Sequence, residues 1–147
     1  MSNDLGTRLR RAKESLSAWY DRLNSQWLDA EKTIQSLNLP TNVWACFEPQ
    51  TQESGNPSYP RDFEHCLGYM KLDREWRICY SVGEVGDPDS HDPRPILDCS
   101  LEQRVLALEG LPKLLEAVVE TAEAQSARFE VALGGAAESL ASLKVRP

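Results

Sequence analysis

The chain lacks most of the signatures by which chemistry is usually read from a sequence. It has only two histidines, His65 and His91, in 147 residues. No two of Cys46, Cys66, Cys79 and Cys99 stand at the Cys-x-x-Cys spacing that lets one turn offer two thiolates to a metal. A Gly-x-Ser-x-Gly elbow, a phosphate-binding loop and a dinucleotide fingerprint are absent, and Gly83–Gly86 encloses only Glu84-Val85. No cofactor or metal is therefore expected. No apolar run approaches the ~20 residues of a membrane span. The opening Met1-Ser2-Asn3-Asp4 is unlike a secretory leader, so a cytoplasmic location away from membranes is expected.

Positive charge is also short. Sixteen Lys and Arg face 23 Asp and Glu, a net charge of −7 that argues against binding a nucleic-acid backbone. The imbalance is local: residues 41–99 carry −6, while residues 1–40 carry +1 and residues 100–147 carry −2. Balanced, mixed charge at the two ends is what solvated helix faces show. Arg8, Arg10, Arg11 and Lys13 belong to such a face rather than to a nucleic-acid arm.

What is present is periodicity. Leu5, Leu9, Ala12, Leu16, Trp19, Leu23, Trp27, Ala30, Ile34 and Leu37 recur at steps of three and four, which predicts one helix over 5–38, stopped by Pro40. Such a helix is about 50 Å long, more than a domain of this size can cover. Part of its stripe needs a partner, and Leu16, Trp19, Leu23 and Trp27 are the candidate interface.

The middle of the chain, 43–82, reads as a three-stranded antiparallel meander. A first strand covers 43–48, and 65–72 and 76–82 form a hairpin turning at Asp73-Arg74. In that register Leu67 faces Tyr80 and Tyr69 faces Ile78. Leu67, Tyr69, Trp76, Ile78, Tyr80 and Val82 then make a core face, and Cys66, Gly68, Met70, Arg77, Cys79 and Ser81 make a mixed one. Loops are expected at 49–62 and 83–99. Helices follow over 100–144: Ser100 and Gln103 form a capping box, Gly110-Leu111-Pro112 marks a stop and restart, and Gly134-Gly135 predicts a bend or an end. The fold class is α+β in one domain, 1–147, with the C-terminal helices packing antiparallel on the first.

Few constellations carry chemistry. His65, Cys66, Cys79, His91 and Cys99 do not make a convincing zinc set, because residues 65 and 66 point to opposite faces of a strand. The cysteines read as buried thiols, and a disulfide is not expected where no secretory leader is seen. Asp87, Asp89, His91 and Asp98 match positions 1, 3, 5 and 12 of a calcium loop, but Asp92 stands where the central Gly belongs. His91, oriented by Asp89 or Asp92, pairs best with Cys66 or Cys79. Glu48, Glu64 and Glu75 read as surface acids at strand ends.

The expectation is a non-enzymatic protein-interaction or adaptor module, homodimeric through its long helices and able to contact another protein. Two other readings stand beside it. One is a small-molecule binder or enzyme using Arg77, Cys79, Cys66 and His91 on the mixed face. The other is an acidic decoy for a basic partner.

Overall fold

The computed structural model describes residues 2–48 and 63–145. The chain is α+β. Helix α1 (Ser2–Gln35) leads to strands β1 (Val43–Phe47), β2 (Phe63–Leu72), β3 (Glu75–Glu84) and β4 (Arg94–Pro95), then to α2 (Leu101–Ala107) and α3 (Leu111–Val145). The sheet is antiparallel in the order β1-β2-β3-β4, so the meander expected with three strands has four. The fourth is two residues long. It escapes a sequence pattern because so short a strand has no alternation to display. The loop expected at 49–62 lies outside the described residues.

The hairpin forms in the expected register, with Leu67 opposite Tyr80 and Tyr69 opposite Ile78. Asp73 and Arg74 both adopt positive φ, 48° and 73°, which is the tight turn whose twist matches that of the flanking strands. The core face carries Val43, Phe47, Leu67, Tyr69, Ile78 and Tyr80, joined by Trp27 and Ile34 of α1 and Leu114 and Val118 of α3. His65 also points into the core, hydrogen-bonded through Nδ1 to the Tyr80 hydroxyl and packed against Phe47.

Helix α1 closes the edge of β3 that β4 leaves uncovered. The buried Glu31 carboxylate accepts the Ile78 N–H at 3.1 Å and the Arg77 Nε–H at 2.8 Å. Gln35 donates to the Trp76 carbonyl at 2.7 Å, and the Trp27 indole N–H donates to the Arg104 carbonyl at 3.1 Å. Backbone groups at a sheet edge invite other strands, and here helix side chains occupy them.

The capping box at Ser100 and Gln103 is formed, and a 3-10 turn over Leu108–Gly110 separates α2 from α3. Two helical expectations are corrected. Helix α3 runs unbroken through Gly134-Gly135 to Val145. The two glycines cost about 2 kcal/mol against alanine, which a 35-residue helix absorbs. The long helices also do not pack antiparallel: α3 lies against β1, whereas α1 lies against β3 and the turn before α2. Leu37–Pro40, after α1, and Ala122 and Phe129, in the middle of α3, line one common cavity. The antiparallel packing is missing because each helix uses a different edge of one sheet. No helix among the described residues is long and apolar enough to cross a membrane.

Removing the Glu31 carboxylate leaves the Ile78 N–H unpaired and takes from Arg77 its closer partner, leaving it only Glu75 at 3.8 Å. Glu31→Ala should lower unfolding free energy by about 2–3 kcal/mol and Glu31→Gln by less, since the amide oxygen can still accept from Ile78. Urea denaturation of the two variants measures the difference. Burial also holds His65 below its ordinary pKa of 6.5, so folding favours the neutral ring. Its stabilisation is complete above about pH 6.5 and is lost as pH falls below that. Urea midpoints at pH 7.5 and 5.5 should separate in the native sequence and converge in His65→Gln.

Candidate functional site

The mixed face of the sheet becomes a groove of about 470 Å³. The hairpin register places Glu64 opposite Gly83 and Cys66 opposite Ser81 on this face. Strand β1 adds Trp44 opposite Gly68 and Cys46 opposite Cys66. The walls are two rings seated on two glycines. A Cβ on Gly68 would fall 2.3 Å from the Trp44 indole, and one on Gly83 would fall 2.5 Å from the His91 ring. Only hydrogen at those positions lets the rings lie flat on the sheet. Pro88 and Pro93, from the segment that follows β3, close the remaining side.

His91 links three elements. Its Nδ1 lies 2.6 Å from Ser81 Oγ on β3, and its Nε2 lies 3.0 Å from Glu64 Oε1 on β2. An ionised carboxylate only accepts, so Nε2 carries the hydrogen, and in the neutral ring Nδ1 accepts from the Ser81 hydroxyl. A Ser–His–carboxylate chain of this order can activate a hydroxyl. Ser81 lines the groove but is only 2% exposed, with its hydroxyl engaged by His91. In the structure this hydrogen-bonded chain ties His91, directly after the 3-10 turn Pro88–Ser90, to β2 and β3.

Cys46 and Cys66 form a disulfide between directly opposed positions of β1 and β2. This corrects the expectation of four buried thiols. Twenty residues of sequence separate the pair, and only the register of β1 on β2 brings them face to face. Cys79 and Cys99 are the free, buried thiols. Burial foremost pushes the Cys79 thiol up to about 12 and raises that of Cys99, so neither serves as a nucleophile near neutrality.

Of the four residues proposed to bind a ligand, Cys66 and His91 line the groove. Cys79 is wholly buried, its Sγ directed to the Arg77 carbonyl, and Arg77 turns to the β3 edge and its ion pair with Glu31. The four do not converge. His91 is oriented by Glu64 rather than by Asp89 or Asp92, and Ser81, not a thiol, is its second partner. Asp87 receives the Asp89 N–H within its own turn, while Asp98 closes a separate 3-10 turn, so no calcium loop forms there. Ser81 and Glu64 were identifiable only through register, which sets them across from Cys66 and Gly83.

No protein family, curated protein or solved structure matches this chain.

The second feature lies on the helices. From Asp4 to Arg22 every side chain of α1 is exposed, as is every side chain of α3 from Ser126 to Lys144. Each stretch has nineteen residues, about 28 Å of helix. Among the proposed interface residues, Leu16 and Trp19 belong to the exposed arm, at 50% and 60% exposure. Trp27 and Leu23 are buried in the chain's own core, a correction that follows from α1 docking on β3.

The disulfide has a simple readout. In native protein without reductant, iodoacetamide should label no cysteine. Denaturant should expose two thiols, Cys79 and Cys99, and denaturant with reductant should expose four, counted by intact mass.

Proposed function

We propose that this chain is a self-associating interaction module that pairs through its two helical arms. The reading is carried by one observation, the matched apolar seams of the arms. Leu5, Leu9, Ala12, Leu16 and Trp19 on α1 repeat at steps of 4, 3, 4 and 3. Phe129, Leu133, Ala136, Leu140 and Leu143 on α3 repeat at the same steps. This is the spacing of a coiled-coil seam, and among the described residues both copies of it are exposed.

The seams suit each other. Run antiparallel, Ala12 meets Ala136 at the centre, Leu9 meets Leu140 and Leu16 meets Leu133. Charge agrees with that choice. The α1 arm has Arg8, Arg10, Arg11, Lys13 and Arg22 against three acids, a net +2. The exposed α3 arm has Arg128 and Lys144 against Glu130 and Glu138, a net charge of 0. A neutral α3 arm repels the basic α1 arm less than a second α1 arm would, which favours α1 of one copy on α3 of another over α1 on α1. A bare single helix of nineteen residues is also marginal in water, so pairing adds stability that tertiary packing does not supply.

Sedimentation velocity at tens of micromolar should show a dimer or larger closed assembly. Leu16→Glu and Leu140→Glu should each shift it to monomer while leaving the core intact. Salt of about 1 M shortens the Debye length to ~3 Å and should leave the assembly standing, as an acidic decoy's contacts would not. A wild-type chain that stays monomeric overturns the reading.

A further inference from the structure

The groove holds a second set of groups besides the histidine chain. Cys46 Sγ, Cys66 Sγ and a Glu64 carboxylate oxygen all lie within 4.8 Å of one another, and they are the one such group of potential metal ligands among the described residues. Their closeness is built into the sheet. Cys46 and Cys66 are cross-strand partners, and Glu64 stands two residues before Cys66 on the same face of β2. The carboxylate is already oriented by His91, whose Nε2 lies 3.0 Å from Oε1, leaving Oε2 available. Two thiolates and a carboxylate are a zinc donor set. Around a tetrahedral ion, with Zn–S near 2.3 Å and Zn–O near 2.0–2.2 Å, donors sit roughly 3.3–3.8 Å apart. Once the Cys46–Cys66 bond is open, rotation about the side chains at these three strand positions has to supply that spacing.

We propose that the groove is a redox-gated zinc site: closed while Cys46 and Cys66 are joined, and formed by Cys46, Cys66 and Glu64 once that bond is reduced. His91 acts as the positioning residue for Glu64, and the fourth zinc position faces the groove. The reductant is a dithiol. Its thiolate attacks Sγ of Cys46, the exposed residue of the pair, and the S–S bond breaks through a mixed disulfide. Two electrons pass to the protein sulfurs, which take up two protons, and the reductant leaves as its own disulfide. Zinc then displaces both thiol protons to water and binds the two thiolates. The ion carries +2 into a ligand set of −3, so the closed cycle exchanges a covalent strand link for an ionic one at the same place.

This differs from the readings weighed on sequence. His65 and Cys99 take no part, since His65 faces the core and Cys99 directs its sulfur to the Arg94 and Pro95 carbonyls. The buried Cys79 stays outside the set.

The test uses the full chain, reduced under nitrogen and freed of reductant, with Co²⁺ as a spectroscopic probe. One equivalent should give thiolate-to-cobalt charge-transfer bands and intense tetrahedral d–d bands that Zn²⁺ bleaches. The oxidised chain should give neither. Glu64→Gln should keep the thiolate bands but weaken binding, and His91→Ala should weaken it ten- to a hundredfold. Cys66→Ser should abolish the two-thiolate spectrum. Thermal melting adds a readout that does not depend on the cysteine variants folding. Zinc at about a hundredfold above Kd should raise the midpoint of the reduced wild type by roughly 5–10 °C, and should raise that of Glu64→Gln by less. Absence of cobalt–thiolate bands in the reduced chain, equal binding by the oxidised chain, or no zinc-dependent shift in the midpoint would overturn the proposal.

Discussion

Two left-handed residues at the tip of one hairpin set the arrangement on which the rest depends. Asp73 and Arg74 close β2 onto β3 with no slack, and that closure decides which side chain stands opposite which for ten residues on each strand. A slip of one residue would send Leu67, Tyr69, Ile78 and Tyr80 to the outer face and bring Cys66, Glu64 and Ser81 inside. The apolar core and the polar groove are thus two consequences of one register. The core then recruits α1 through Trp27 and Ile34, and α3 through Leu114 and Val118.

The sheet is small, and that limits what it can cover. Four strands, the last only two residues long, offer room for about half of each long helix. Helix α1 docks by its C-terminal half, where Glu31 and Gln35 also satisfy the open edge of β3. Helix α3 docks by its N-terminal half on β1. The remaining halves are left in solvent with their apolar seams intact. A body that orders two helices yet covers only half of each presents those seams at defined positions.

The groove has a different logic. Its floor is strand backbone, its walls are rings seated on glycine, and its polar groups come from β1, β2, β3 and the segment after β3. Bringing Glu64, Ser81 and His91 into one hydrogen-bonded chain ties that segment down, so the groove keeps its shape without filling its volume with side chains. The disulfide reinforces the same region by joining β1 to β2 at its rim.

The local features of the sequence were enough to establish the α+β class, the hairpin register, the capping box at Ser100 and the existence of an over-long first helix. Each depends on periodicity or on chemistry within a few residues, which a linear pattern preserves. Only the tertiary structure decided which half of that helix is buried, so that Trp27 and Leu23 belong to the core while Trp19 and Leu16 stay outside. It alone decided that α1 and α3 take different edges of the sheet, that Arg77 answers Glu31, that His91 answers Glu64 and Ser81, and that Cys46 meets Cys66. These pairs lie 10 to 46 residues apart. Sequence spacing carries no information about which distant groups meet, because that depends on how whole elements dock, and docking is settled by the summed burial of surfaces rather than by any one residue.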